Sequence, residues 1–402
     1  MAIETLTVSV PDTPRWMPVR ATVFSGIVFL LGLLPGLWTG WILWGASIDD
    51  LTASRSALAA RDYTALWAAG RAVASGAVAV LADPVSFTAY LRDIFGVGMP
   101  DQIWPYPPPI LLLARPLAAL PFVVGFVLYA ALGVVALLLA LHYSALSGLR
   151  KAAIVFSPAV AVNALTGQTG ALISALLLGG LLLIERRPIL AGVLLGALII
   201  KPQFAILVPI GLIAGRHWKT LASSCASGII LAFSALVLFG VAPWVEFFLG
   251  QKAVSAYVGA PWQSDPAQSL FTNVFMVARS LGANLGVAYM AQAVVTAGCG
   301  YVVSRLWQAP NLSHTVRTVA TLSLTLLAAP WVHTYDLPAL AVAVVMLLPA
   351  EPGWRRSALA FAWLWPGLSQ LYSVPPTIAV LSVGSVAWLA CQGGSPWRRA
   401  SS

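Results

Sequence analysis

Residues 186–219 read RRPILAGVLLGALIIKPQFAILVPIGLIAGRHWK. Arg186 and Arg187 precede an apolar run, Ile189–Ile200. A break at Lys201-Pro202 follows, and a second apolar run, Gln203–Gly215, ends at Arg216 and Lys219. Two apolar segments returning to a basic end read as a helical hairpin in lipid, turning at Lys201-Pro202. The pattern extends outward in both directions. Basic residues cluster as Arg15/Arg20, Arg150/Lys151, Arg186/Arg187, Arg216/Lys219, Arg305/Arg317, Arg355/Arg356 and Arg398/Arg399, which takes 14 of the 22 Lys and Arg and marks every second loop. Four acids (Glu4, Asp12, Glu185, Glu351) share that side, so it carries +10 against −1 on the other. Cytoplasmic loops of membrane proteins hold this excess, which predicts cytoplasmic N- and C-termini.

Composition agrees. Hydrophobic residues make up 59% of 402 positions and charged residues 9%. A soluble domain carries about 25% charged residues, and this chain cannot dress a water-facing surface of its size. The expected fold class is all-α integral membrane, as one polytopic domain over residues 1–402. The first apolar run follows Arg15 and Arg20 without a small-residue cleavage site, which predicts an uncleaved span. A net charge of +9 divided into loop pairs is a topological signal and excludes nucleic acid as the partner. Cys225, Cys299 and Cys391 stand alone in apolar sequence, with no metal-ligand or redox spacing, and read as buried thiols.

Alternation of the basic loops predicts about twelve crossings: Ala21–Gly45, Pro107–Tyr143, Ala152–Thr166, Gln168–Ile184, Ile189–Ile200, Gln203–Gly215, Leu221–Gly240, Leu285–Ser304, Val319–Val332, Leu337–Leu348, Ser357–Tyr372 and Thr377–Cys391. Several are shorter than the roughly 20 residues of a full span, which implies broken helices shielded by neighbours. Two outward loops are long. In 46–105, Tyr63, Leu66, Trp67, Gly70 and Val73, then Phe87, Tyr90, Leu91 and Ile94, predict two amphipathic helices in the membrane interface. The second, 241–283, interleaves Trp244, Phe247, Phe248, Tyr257 and Trp262 with Pro, Gly and Gln.

The polar residues of the outward turns are the candidates for chemistry. Asp62, partly desolvated at the membrane surface, has the character of a general base; the competing reading is an N-cap for a helix starting at Tyr63. Asp49 and Asp50 compete for the same role. Trp104-Pro105-Tyr106-Pro107-Pro108-Pro109 is extended and then permits a helix to begin. Lys201 amid apolar residues either faces a cavity, where it would hold a phosphate, or snorkels to the interface. His333-Thr334-Tyr335-Asp336 brings an imidazole, a phenol and a carboxylate to one turn, with a charge-tuned His–Asp pair as one possibility. Gly167-Gln168 adds a polar turn on the same face. Topology sends Asp62, Tyr106, Gln168, Lys201, His333 and Asp336 to one membrane rim. Asn311-Leu312-Ser313 matches a glycosylation acceptor but falls in a basic, inward loop.

In order along the chain, Asp62–Gly70 with Gly76 and Leu81-Ala82-Asp83, Tyr106-Pro107-Pro108, Arg115-Pro116-Leu117, Gly167-Gln168, Arg187-Pro188, Ile200-Lys201-Pro202-Gln203 and His333-Thr334-Tyr335-Asp336 resemble glycosyltransferase family 87. The resemblance implies a GT-C-like helical bundle and a polyprenyl-phosphate sugar donor, often polyprenyl-phosphomannose. It implies that an acid of the first outer loop, Asp62 by position, acts as base. Two positions depart from the family pattern: no tyrosine precedes Asp83, and Tyr63 stands where phenylalanine is common.

Together these readings predict a hexosyltransferase of a bacterial plasma (inner) membrane, with its active site outside the cytoplasm. Asp62 is the expected base, and Lys201 and His333 face the donor phosphate. Tyr106, Gln168, Gln203, Tyr335 and Asp336 contact substrate, and no metal or cofactor is required. The expected partners are the lipid-linked donor, a lipid-linked or glycan acceptor and membrane lipids. A transporter or flippase for a lipid-linked sugar, or a scaffold subunit of an envelope complex, are the rival classes.

Overall fold

The computed structural model describes residues 60–262, 266–348, 353–370 and 375–392. The expected span Ala21–Gly45, the acids Asp49 and Asp50 and both termini lie outside the described residues. Among the described residues the fold is helical throughout, with no strand beyond one isolated bridge between Phe271 and His333.

The segment before the first long helix forms two amphipathic helices, as the spacing of its apolar residues predicts: α1 (Arg61–Ser75) and α2 (Pro84–Phe95). Asp83 caps α2, its carboxylate accepting from the Ser86 N–H at 2.8 Å, with Pro84 at the first helical position. Gly76 ends α1 at φ 77°, a conformation a Cβ would strain. The buried face of α1 docks on α3 (Leu111–Leu117) and the start of α4 (Phe122–His142). Gly70 permits the approach, because a Cβ there would stand 2.3 Å from the Ala114 carbonyl oxygen. Tyr63 packs among Phe122, Phe126 and Tyr129 at ring-centroid separations of 5.3–5.5 Å, and Trp67 donates its indole N–H to the Leu120 carbonyl at 3.2 Å.

The expected crossing Pro107–Tyr143, which Pro116 and Pro121 are expected to break, is divided there. Its Pro-rich start is a short 3-10 turn followed by α3, and only α4 is a long apolar helix. Next come α5 (Gly148–Val155) and α6 (Pro158–Thr166), bent by 44° at Ser157, and then α7 (Gly170–Leu183). The stretch 186–219 forms α8 (Pro188–Gly196), two 3-10 turns meeting at Lys201, and α9 (Val208–Ala214). α10 (Trp218–Phe239) lies along α8, where Gly192 and Gly196 leave room for Ser223, Ser224 and Ser227. Ser223 and Ser227 donate to the Ile189 and Val193 carbonyls at 2.8 and 3.0 Å. Between helices in lipid such bonds contribute about 0.6 kcal/mol each, and the small residues add close contact. The remaining helices are α11 (Ala242–Gly259), α12 (Val274–Ser280), α13 (Leu285–Gln308), α14 (His314–Ala328), α15 (Pro338–Leu347), α16 (Gly353–Leu368) and α17 (Pro376–Gln392).

α7, α14, α15 and α17 supply the main apolar core. α10 presents Ile229, Phe233 and Val237 outward, which suits lipid as the surrounding solvent. Three described helices, α4, α10 and α13, are long and apolar enough to cross a bilayer, and the bent α5–α6 pair makes a fourth by the same measure. The expected twelve crossings are not matched by twelve such helices. At about 1.5 Å per residue, helices the length of α8, α9 and α15 stop short of a roughly 30 Å core. α15 is buried among its neighbours, whereas α8 and α9 each keep one apolar face exposed, at Ile189 and Val193 and at Ile213. Cys299 is buried and Cys391 half-buried, whereas Cys225, expected inside, sits on the exposed face of α10.

Candidate active site

The site forms where short breaks between helices converge. Gly167 closes α6 at φ 70°, and a Cβ there would stand 2.5 Å from that of Tyr63. That turn delivers Gln168, whose Oε1 accepts from the Tyr106 hydroxyl at 2.8 Å and whose side chain also hydrogen-bonds Asp62. Asp62 is not the helix cap. α1 already begins at Arg61, because the Ala60 N–H is held by the Leu165 carbonyl at 2.7 Å, and Ala60 takes the cap position without a side-chain bond. The Asp62 carboxylate is thereby left to face Gln168. It is half-buried, and desolvation pushes its pKa up, against the Gln168 hydrogen bond and the charges of Arg61 and Lys201.

Lys201 does not snorkel. The 3-10 turns on either side hold it inside, 6% exposed, with Nζ 2.5 Å from Asp336 Oδ1. Its ammonium also lies 5.3 Å from the Tyr335 ring centroid and 5.7 Å from that of Phe204. The His333–Asp336 pair expected as one possibility does not form through the ring. Asp336 Oδ2 accepts from the His333 backbone N–H at 3.2 Å, and its other oxygen is taken by Lys201. The imidazole lies instead against Phe271, at 3.7 Å between centroids, and stacks on Tyr335 at 4.8 Å. Desolvation, with the charges of Lys201 and Arg61, lowers the His333 pKa to about 3, so the ring is neutral near pH 7.

A cavity of about 340 Å³ opens over this group, with Tyr106, Lys201, Gln203, His333, Tyr335 and Asp336 in its lining. Asp62 and Gln168 are not in that lining; they stand behind Tyr106, joined to it by the Gln168 amide. The opposite wall is α11, through Phe247, Gln251 and Val254.

Several supporting residues carried no weight in the sequence. Asn163 in α6 donates to the Tyr335 carbonyl at 3.0 Å and accepts from the Ala171 N–H at 3.2 Å, fixing the 334–336 turn to the start of α7. Gln370 donates to Thr334 Oγ1 at 2.9 Å. The Thr272 N–H donates to the Val332 carbonyl at 2.7 Å, which ties the second loop to the same turn. An amide inside an apolar helix is the signal that marks Asn163. Phe271 gives no such sign.

At the far end of α7, about 20 Å away by helix rise, Glu185 pairs with His314 and Arg317 at 3.4 and 3.8 Å. Among the described residues no group of three His, Cys, Asp or Glu side chains is placed to hold a metal ion.

Apolar helices with lipid-suited faces, enclosing a cavity lined by an ammonium, a carboxylate, an imidazole and three phenols, define an integral membrane protein with a polar site among its helix ends. The family model for glycosyltransferase family 87 matches residues 104–330, more than half of the chain. The chain belongs to glycosyltransferase family 87 and is a membrane glycosyltransferase, with a sugar donor and an acceptor as its substrates. Tyr106, Gln168, Lys201 and Gln203 fall within the matched residues; Asp62, His333, Tyr335 and Asp336 fall outside them. No curated protein and no solved structure matches the chain.

Proposed function

We propose that this glycosyltransferase moves a hexose, mannose foremost, from a polyprenyl-phosphate sugar to a hydroxyl of a lipid-linked or envelope glycan acceptor. It works outside the cytoplasm at a bacterial inner membrane, with both termini cytoplasmic. The observation that carries this reading is one cavity lined by Tyr106, Lys201, His333 and Tyr335, with Gln168 and Asp62 standing behind Tyr106.

The chemistry follows from those groups. Asp62, its affinity for protons raised by desolvation, removes the proton of an acceptor hydroxyl that reaches it past Tyr106 rather than from the cavity lining itself. The oxygen bonds to the anomeric carbon as the carbon–phosphate oxygen bond breaks, and the electron pair leaves on polyprenyl phosphate, which gains one negative charge. One direct displacement inverts the anomeric centre. Lys201 faces that growing charge, while neutral His333 offers a ring N–H without a competing cation. Tyr106, Gln203, Tyr335 and Asp336 supply hydrogen bonds that hold the sugar, and Gln168, behind them, fixes the Tyr106 hydroxyl. Outside the cytoplasm nucleotide sugars are absent, and a lipid-anchored donor meets that need.

The test is transfer from radiolabelled polyprenyl-phosphomannose into membrane lipid extract by purified protein. Asp62→Asn keeps the shape and removes the base, and it is expected to lower kcat by about 10²–10⁴-fold. Wild-type rates in that variant would overturn the assignment. Flipping in liposomes without transfer would favour a transporter, and neither activity a scaffold.

A further inference from the structure

A second hollow adjoins the first. It is an open groove of about 680 Å³ between α9 and α13, with Leu207 and Ile210 on one wall and Ala293, Ala297 and Tyr301 on the other. Pro330 lines both this groove and the polar cavity. Both walls run on from the cavity along the chain. Lys201 and Gln203 line the cavity, and Ile206, Leu207 and Ile210 take over in the groove; on the other side Pro330 leads directly to Trp331 and His333.

The groove is open because α13 turns small residues toward it. A Cβ on Gly300 would already stand 3.0 Å from Ile210 Cδ1. The amide of Gln292 and the hydroxyl of Thr296 are satisfied from within. Gln292 accepts from the Val274 and Phe275 N–H groups at 3.0 and 3.2 Å and donates to the Leu327 carbonyl at 3.0 Å, while Thr296 donates to the Ala328 carbonyl at 2.7 Å. An apolar occupant therefore strands neither of those two side chains.

We propose that this groove is the lane for the isoprenoid chain of the donor. The phosphate end lies at Lys201 and His333, and the chain runs past Pro330 between α9 and α13. This rests on the donor reading above and adds a consequence to it: donors long enough to pass Pro330 bind better than short ones.

The experiment uses the full-length protein in nanodiscs, with long-chain polyprenyl-phosphomannose and a short citronellyl analogue. Ala297 is exposed, so Ala297→Trp fills the groove without entering the core. Its KM for the long donor should rise about tenfold or more as methylene contacts are displaced, with kcat and the KM for the short donor unchanged. A diazirine-tagged long-chain polyprenyl phosphate should label 285–308 in the wild type and not in Ala297→Trp. Equal effects on both donors, no effect on either, or labelling elsewhere would overturn the lane while transfer by the wild type keeps the donor reading. Equal labelling of the groove by a diazirine phospholipid, uncompeted by polyprenyl phosphate, would assign it to bilayer lipid and likewise overturn the lane. Groove labelling by the prenyl probe with no transfer from either donor would keep the lane and discard the reaction.

Discussion

The Nζ of Lys201 and the Oδ1 of Asp336 lie 2.5 Å apart across 135 residues of chain, with both side chains buried. Desolvating two charges is costly, and their attraction offsets that cost only while both are present. Lys201→Met or Asp336→Leu alone should each destabilise the protein by about 3–5 kcal/mol. The double variant should recover most of that loss, since an apolar pair of similar volume is often neutral. Thermal unfolding in detergent measures the three. The double variant should still be inactive in sugar transfer, which separates the pair's structural part from its proposed part in the reaction.

Asp62 works only as a carboxylate in the proposed chemistry, so kcat/KM should fall on the acid side as that group takes up a proton. Desolvation places this limb above the ordinary carboxylate range. The Gln168 hydrogen bond holds it down, and Gln168→Leu should therefore move the limb to higher pH. A pH–rate profile of the two proteins decides it; an unmoved limb would mean that another group is titrating.

His333 has its pKa lowered to about 3, so the folded state keeps a neutral ring where an unfolded chain would bind a proton, below about 6.5. The unfolded state then holds more protons between those values, and stability is lost as pH falls through that window. His333→Asn should flatten the decline of Tm between pH 6.5 and 4. No histidine limb should appear in the activity profile near neutral pH.

Gly170 faces the back of the site. A Cβ there would stand 2.2 Å from the Tyr335 carbonyl oxygen and 3.0 Å from the Asp336 Cα, backbone atoms that cannot rotate away. Gly170→Ala should cost about 1–3 kcal/mol as the turn shifts. It should also lower transfer activity by displacing Asp336 from Lys201. Ser174→Ala, one turn further along α7, is the control expected to leave both nearly unchanged.

The lipid-embedded helices were legible because their signals are local. The apolar runs and the amphipathic spacing of Tyr63, Leu66 and Trp67 each act within a few residues. Helix count was less legible, because a short apolar run such as Pro338–Leu347 reads alike whether it spans lipid or is sheltered by neighbours. Among the site residues, the sequence marked Tyr106, Gln168, Lys201, His333 and Asp336 as polar residues in apolar surroundings. It said nothing of Asn163 holding the Tyr335 carbonyl.

The sequence by itself determined the class of environment, since hydropathy is summed over local stretches and needs no partner. Only tertiary structure decided what each polar group meets. Asp62 faces Gln168 rather than capping its helix because the Leu165 carbonyl claims the Ala60 N–H and starts the helix early. Lys201 is buried rather than snorkelling because packing brings Asp336 to it from 135 positions away. Contacts across such separations depend on how every intervening helix packs, and no local pattern encodes them.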